Sequence, residues 1–147
     1  MKLSATLPGT WRLISRSDRN AAGEAVAEPA LGSDPVALLV YDRAGHFAAQ
    51  FMKRDRSDAP AEEAPGGPAA NNTRARGGYD AYFGTYSVDD AQGTVTQTLL
   101  GALSPENVGQ TVTRKLTVTG DRLTIALETT SGDGQPVVRT LLWTRVG

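Results

Sequence analysis

Apolar and polar residues alternate in short runs along this chain, and most runs are followed by a turn signal. The pattern predicts eight β-strands, at residues 9–16, 36–41, 46–53, 79–88, 94–103, 110–118, 123–129 and 136–145. The turn Asp42-Arg43-Ala44-Gly45 makes a hairpin of the second and third strands. Residues 17–35 predict a long connection with a short edge pairing near residues 24–26. No segment has a convincing helical period, so the chain is predicted to be all-β.

Strands joined at hairpin spacing are typical of a β-sandwich or an up-and-down β-barrel. A closed barrel has no unpaired strand edges. With eight strands, its interior is wide enough to hold one small ligand or to be filled by its own side chains. The sixteen glycines and eight prolines lie mostly between the predicted strands, as expected of many short strands.

Residues 55–78 differ in composition from the rest of the chain. These 24 residues include three prolines and four glycines but no large apolar side chain. Such a segment buries too little apolar area to offset the entropy lost on ordering it, which predicts a flexible surface loop. The alternative is a mobile lid over the mouth of a barrel, because long loops in compact domains are often functional. A short helix near residues 59–64 is compatible with either interpretation.

The composition excludes several classes of function. With 147 residues, the chain is expected to form a single domain, 1–147. It has no cysteine and a single histidine, His46, which excludes thiolate and histidine-rich metal sites, and no metal or cofactor is expected. A net charge of −1 and the lack of a basic run argue against nucleic-acid binding. No apolar run approaches the ~20 residues of a membrane span, and the N-terminus does not resemble a signal peptide, so the protein is expected to be cytoplasmic.

A set of short motifs carries a resemblance to a known family. In chain order they are Gly9-Thr10-Trp11-Arg12-Leu13, Leu39-Val40-Tyr41-Asp42-Arg43-Ala44-Gly45-His46-Phe47, Ala81-Tyr82-Phe83-Gly84-Thr85-Tyr86-Ser87-Val88-Asp89, Gly93-Thr94-Val95-Thr96, Gly120-Asp121-Arg122-Leu123-Thr124 and Leu142-Trp143-Thr144-Arg145. Together they resemble a family of small bacterial and fungal lipocalin-like domain proteins. The resemblance implies an eight-stranded antiparallel lipocalin-like (calycin-type) β-barrel with a central pocket. It also implies that Trp11 plugs the closed end and that Arg145, from the last strand, lies across it. The family provides no single activity that can be carried over.

Arg114 is a charged residue that strand alternation places among apolar neighbours. Val112, Leu116 and Val118 share its face of the predicted strand, and this face is expected to point into the barrel. An interior arginine has to be paired, because an unpaired buried charge is costly. One interpretation is a salt bridge to an interior carboxylate, or a head group that reaches water at the barrel end. The other is an anchor for a ligand carboxylate, phenolate or enolate, since a guanidinium offers a fixed fork of donors.

Pocket walls combine apolar area with a few fixed polar groups. The further candidates for ligand contact are Tyr41, Gln50, Met52, Tyr82, Tyr86 and Gln97. Tyr82 and Tyr86 share one face of their strand, and Gln50 and Gln97 each alternate with apolar residues. The alternation alone leaves open which face of the third to fifth strands points inward. Plain packing is the alternative role for the tyrosines.

The pattern favours binding of a small, mostly apolar or aromatic molecule inside the barrel. A second hypothesis is a cofactor-independent enzyme, an isomerase, cyclase or lyase, in which Arg114 anchors an anion and Tyr82 or Tyr86 transfers a proton. A titratable pair beside open volume would favour the enzyme, and a wholly apolar cavity would favour a carrier. A third hypothesis is a filled structural barrel, for which an exposed apolar patch would indicate a protein partner, such as a second copy in a homodimer.

Overall fold

The chain folds into a closed antiparallel β-barrel in the computed structural model, which describes residues 2–57, 71–131 and 134–147. A short helix, α1 (Leu3–Thr6), precedes the first strand, and a 3₁₀ helix, Pro105–Asn107, lies between β6 and β7. The described strands are β1 (Gly9–Arg19), β2 (Ala25–Val26), β3 (Val36–Tyr41), β4 (His46–Met52), β5 (Tyr79–Asp89), β6 (Thr94–Ala102), β7 (Thr111–Thr119), β8 (Arg122–Thr130) and β9 (Pro136–Arg145). No helix in these described ranges is long and apolar enough to cross a membrane.

Eight of these strands close the barrel in chain order. From β3 to β9 each strand pairs antiparallel with the next, and β1 pairs with both β3 and β9, which completes the ring. The two-residue strand β2 pairs with the end of β1, where Asp18 lies opposite Val26. The predicted eight-stranded barrel is therefore confirmed, and so is the edge pairing predicted near residues 24–26.

The first and last strands meet at the closed end of the barrel. Trp11 is fully buried there, and its indole N–H donates to the Leu7 carbonyl at 3.0 Å. The guanidinium of Arg145 lies over the Trp11 ring, 4.2 Å from its centroid, and donates to the Pro8 carbonyl at 3.0 Å. This is the arrangement that the motif resemblance implied, and it seals this end of the barrel with an indole.

A β-bulge in β1 reverses the side-chain alternation partway along the strand. The pairing of β1 with β9 shifts between Leu13 and Ser15. Trp11 and Leu13 are buried before the bulge, and Arg16 and Asp18 are buried after it. Strict alternation along the strand would place Arg16 on the face opposite Trp11. The bulge prevents this, because one extra residue moves all later side chains to the other face.

A second bulge lies in β6, opposite Gly84 of β5. Leu99 is fully buried, whereas the next residue, Leu100, is 57% exposed. A Cβ atom at position 84 would overlap the Thr98 carbonyl oxygen. Glycine is therefore required at this point, since only it lets β5 approach the bulged strand so closely.

Candidate functional site

A cavity of about 70 Å³ lies inside the barrel. Part of its lining is aliphatic and aromatic, and includes Leu39, Phe51 and Ile125. Another part is strongly polar, and is formed by Arg16, Glu28, Asn72, Thr73, Asp80, Gln97, Arg114 and Arg139. The interior is therefore amphipathic, unlike the wholly apolar cavity of a hydrocarbon carrier.

Two of the three arginines that line the cavity have carboxylate partners. Arg139 and Asp18 form a two-pronged pair, in which Nε and Nη2 each lie 2.8 Å from a carboxylate oxygen. Nη1 of Arg16 lies 3.3 Å from Oε2 of Glu28. Burial lowers the pKa of Arg16, and the nearby charge of Arg139 lowers it further. Both pairs depend on the β1 bulge, because it turns Arg16 and Asp18 inward.

Arg114 differs from these two arginines, because none of the described carboxylates pairs with it. The residue is 7% exposed, as expected of the inward face of β7. Its Nη1 donates to the main-chain carbonyls of Asn71, at 2.6 Å, and Thr113, at 3.3 Å. Burial lowers the pKa of Arg114, yet a guanidinium remains charged in a protein. Within the described ranges, the cavity thus holds one buried cation whose hydrogen-bond acceptors are neutral carbonyl groups.

Two tyrosines beside this cation are held in their protonated form. Tyr41 is 1% exposed and accepts a hydrogen bond from Nε2 of Gln97 at 2.6 Å. Burial raises the pKa of Tyr41 above its ordinary value. Burial and the negative charge of Asp80 raise the pKa of Tyr82 to about 12. At neutral pH both phenols are therefore neutral, so each hydroxyl can donate as well as accept a hydrogen bond.

Trp143 contributes an indole to the same cavity lining. It is 1% exposed and packs edge-on against Phe51, with 5.8 Å between ring centroids. No acceptor for its Nε1–H is found among the described residues. Trp11 contrasts with it, because the indole N–H of Trp11 is bonded to a main-chain carbonyl.

The segment of residues 71–76 adds main-chain and side-chain atoms to the site. Three of its residues line the cavity, Asn72, Thr73 and Ala75. Asn71 fastens the segment to β7, because its side-chain amide exchanges two hydrogen bonds with the main chain of Thr113, at 3.0 and 3.2 Å. Residues 58–70, the central part of the predicted loop or lid, lie outside the described residues. They include residues 59–64, where a short helix was compatible with the sequence.

Three of the predicted ligand contacts lie elsewhere. Gln50 and Met52 flank Phe51 in β4, and since Phe51 is buried in the interior, they point to the outer face. The hydroxyl of Tyr86 donates to the Asp42 carbonyl at 2.5 Å, beside the β3–β4 turn. None of these three is among the described residues that line the cavity. The expectation that they line the pocket is therefore corrected, whereas Tyr41, Tyr82, Gln97 and Arg114 do line it.

Several charged groups of the site were not anticipated from the sequence. They are Arg16, Asp18, Glu28 and Arg139. Arg139 alternates with the apolar residues Val137 and Leu141 along β9, as Arg114 does with its neighbours in β7. Strand alternation therefore indicates an inward orientation for Arg139 too. The inward orientation of Arg16 and Asp18 depends on the β1 bulge, which the sequence pattern does not indicate. Glu28 lies in a long connection that has no periodic pattern.

The polar side chains of the cavity can form hydrogen bonds to oxygen atoms of a bound molecule. The residues that line the cavity include the Arg114 guanidinium and the phenols of Tyr41 and Tyr82. Across the described ranges, no cluster of histidine, aspartate and glutamate side chains is arranged to hold a metal ion. A guanidinium can bind a neutral or an anionic oxygen.

Comparison with known proteins gives one positive finding. A family model described as a lipocalin-like domain matches residues 8–146, which is nearly the whole chain. No match was found among curated proteins.

Proposed function

Because the chain belongs to the lipocalin-like domain family, we propose that it binds a small molecule inside the barrel and that this molecule joins an apolar body to an anionic group. The membership confirms the resemblance carried by the sequence motifs. Small-molecule binding is the role that the barrel fold suggests. The nature of the ligand is inferred from the cavity itself.

The observation that carries the proposal is that Arg114 is buried and has no carboxylate partner among the described residues. A buried guanidinium without a paired carboxylate is costly for a folded protein. Its two observed acceptors are carbonyl oxygens of Asn71 and Thr113. These can occupy only part of its five N–H donors. A ligand carboxylate, phenolate or enolate would give Arg114 a directly paired negative charge and further acceptors.

The apolar body of the ligand is inferred from the rest of the lining. Leu39, Ile125 and Leu141 offer aliphatic contacts, and Phe51 and Trp143 offer aromatic ones. The volume of about 70 Å³ is small, since pockets for drug-sized ligands run from about 300 to 1,000 Å³. A short acid with a few carbon atoms fits this cavity better than a long lipid does.

An enzyme remains the second hypothesis, because Arg114 and Tyr82 line the same cavity. In that case Arg114 would hold an anion, and Tyr82 would transfer a proton in an isomerase, cyclase or lyase reaction that uses no cofactor. General acid–base catalysis works best when the catalytic pKa lies near the operating pH. Since the pKa of Tyr82 is about 12, this phenol is better suited to donating a hydrogen bond than to transferring its proton. This favours binding over catalysis.

Calorimetric titration with pentanoate and its neutral isostere pentanamide tests the proposal. Wild-type protein should bind pentanoate at least about tenfold more tightly than pentanamide, because one charge-assisted hydrogen bond is worth about 1.5–3 kcal/mol. Arg114→Gln should abolish the preference, and Arg114→Lys should weaken it, because an ammonium lacks the fork of donors. Arg12→Gln is the matched control, since Arg12 is exposed on the outer face of β1. Equal affinities of wild type for the two compounds would refute anion binding at Arg114.

A further inference from the structure

Arg139 has hydrogen-bond donors that its carboxylate partner does not use. A guanidinium carries five N–H groups. In Arg139, Nε and Nη2 each donate to one carboxylate oxygen of Asp18 at 2.8 Å. The N–H groups on Nη1 remain, and no acceptor for them is found among the described residues. Arg139 therefore resembles Arg114 in having donors left for a bound molecule, although its charge is already paired.

The unused donors of Arg139 lie on the cavity side of the residue. Arg139 lines the cavity, whereas Asp18 is not among the described residues that line it and borders a groove beside β2 instead. The carboxylate thus holds the guanidinium from the side away from the cavity. Among the described residues, the one side-chain nitrogen that is completely enclosed and lacks a partner is Nε1 of Trp143. Nη1 of Arg139 lacks a partner without being enclosed, so a molecule in the cavity can reach it.

Arg114 offers donors to the same space. Its Nη1 donates to the carbonyls of Asn71 and Thr113, which leaves Nε and Nη2 without an acceptor in the described ranges. These two atoms are not enclosed either. Since Arg114 lines the same cavity as Arg139, one bound group can meet both guanidiniums.

The two arginines lie at the same level of the barrel. The β7–β8 ladder ends at the pair of Lys115 and Ala126. One residue beyond it, Arg114 is level with Leu127, which is paired with Arg139 in β9. The two arginines are thus two strands apart, with about 10 Å between their main chains at about 4.8 Å per strand. Their charges interact, since the charge of Arg139 lowers the pKa of Arg114. An anion between the two guanidiniums would relieve this repulsion.

The carboxylates of the cavity wall are engaged elsewhere. In the described ranges they belong to Glu28 and Asp80. Oε2 of Glu28 lies 3.3 Å from Nη1 of Arg16 and accepts from the main-chain N–H of Leu31 at 2.9 Å. Oδ2 of Asp80 accepts from the hydroxyl of Thr73 at 2.6 Å. Neither carboxylate is hydrogen-bonded to the unused guanidinium donors.

We infer that Arg114 and Arg139 together hold the anionic group of the ligand and that this group is a carboxylate, whose two oxygens accept from the two guanidiniums. This inference rests on the proposed function, because it assigns the anion that Arg114 binds. A carboxylate offers about four acceptor positions on two oxygens, whereas a phenolate or enolate concentrates its acceptor positions on one. Arg139 thus determines specificity among small anions. Asp18 is a positioning residue, which orients Arg139 without touching the ligand.

The test removes Arg139 together with Asp18, so that neither charge is left buried alone. In calorimetric titration, the double variant Asp18→Asn/Arg139→Met should bind pentanoate about tenfold more weakly than wild type, because a charge-assisted hydrogen bond is lost. It should bind pentanamide as wild type does, which a merely structural role of the pair does not predict. The matched control is Asp34→Asn/Arg54→Met, which removes an exposed pair of the same residue types. Its affinity for pentanoate should equal that of wild type.

Arg139→Lys is a second variant that keeps a cation for Asp18. It should also weaken pentanoate binding, because an ammonium lacks the second edge of the guanidinium fork. This variant decides the question if the double variant does not fold.

Nuclear magnetic resonance of isotope-labelled arginine side chains gives an independent readout. The signals of Arg114 and Arg139 are assigned by their loss in Arg114→Gln and Arg139→Lys. Pentanoate should shift both signals, whereas pentanamide should shift neither by a comparable amount.

Unchanged pentanoate affinity in the Arg139 variants, or an unmoved Arg139 signal, would overturn the role of Arg139. If Arg114→Gln then still abolished the preference for pentanoate, anion binding at Arg114 would stand alone. If wild type bound pentanoate no more tightly than pentanamide, both proposals would fail.

Discussion

The buried pair of Asp18 and Arg139 offers a direct test of how the interior is organised. The perturbation is Asp18→Asn, which keeps the shape of the side chain but removes its charge. In the native structure both oxygens of Asp18 accept from Arg139 at 2.8 Å, and the two residues are 4% and 5% exposed. The substitution therefore leaves the charge of Arg139 buried without a carboxylate, close to the positive charge of Arg16.

The expected loss follows from the burial of the pair. Removing one partner of a buried ion pair costs about 3–5 kcal/mol, because the other charge is then uncompensated. The asparagine oxygen can still accept one of the two hydrogen bonds, so a loss of about 3 kcal/mol is expected. Since domains are stable by about 5–15 kcal/mol, this is a large share of the total. With a urea m-value of about 2 kcal/mol/M, the unfolding midpoint should fall by about 1.5 M.

The assay is equilibrium urea unfolding of wild type, Asp18→Asn, and the double variant that adds Arg139→Met. The second substitution should restore much of the lost stability, because it removes the stranded cation and fills its place with an apolar chain. The exposed pair of Asp34 and Arg54, at 3.0 Å and about two-thirds exposed, provides the control. There Asp34→Asn should change stability by less than about 0.5 kcal/mol.

Two results would refute this reasoning. A loss below about 1 kcal/mol for Asp18→Asn would mean that water reaches the pair, contrary to its burial. A double variant less stable than Asp18→Asn would mean that Arg139 stabilises the barrel through contacts other than its carboxylate partner. The β1 bulge turns Asp18 inward, so the first result would also question the register of β1 against β9.

Further predictions follow from individual contacts. Gly84→Ala should lower the free energy of unfolding by about 1–3 kcal/mol, because a methyl group there overlaps a main-chain carbonyl of β6; an unchanged urea midpoint would contradict it. Arg145→Gln should cost about 0.5–2 kcal/mol through the lost contact with the Trp11 ring, seen as a lower midpoint in thermal unfolding. Spectrophotometric titration should show Tyr82 ionising near pH 12, although tyrosine ordinarily ionises near 10. Between those values the unfolded state releases this proton and the native state keeps it, so stability should fall as the pH rises through this window, and Tyr82→Phe should flatten the decline.

The strand pattern of the sequence predicted the barrel well, because the two-residue period of a strand is set by backbone geometry. The inward orientation of Arg114 followed from that period alone. The orientation of Arg16 did not, because nothing in the residues around Ser15 marks the bulge that reverses it. Gln50 and Gln97 show that strand alternation alone does not decide which face of a strand points into the barrel. Both alternate with apolar neighbours, and only the closed ring of strands decides that Gln97 lies inside.

The ionic lining of the cavity was the least predictable part of the site. Glu28 comes from an irregular connection, and it reaches Arg16 only because the bulge turns that arginine inward. The orphan N–H of Trp143 is likewise a property of the folded interior. The sequence gives the position of the tryptophan, but it does not show whether the neighbouring strands place a hydrogen-bond acceptor beside its indole N–H.

The closure of β1 onto β9 has a consequence for how a newly made chain reaches its native state. Asp18 and Arg139 are 121 residues apart in sequence. At roughly 5–20 residues per second, the ribosome takes about 6–24 s to add the second partner after the first. Throughout that interval β1 lacks β9, the neighbour that completes the ring, and Asp18 has no Arg139 to pair with. The pairing of β9 with β1 therefore closes the barrel and buries the carboxylate of Asp18 in the same step.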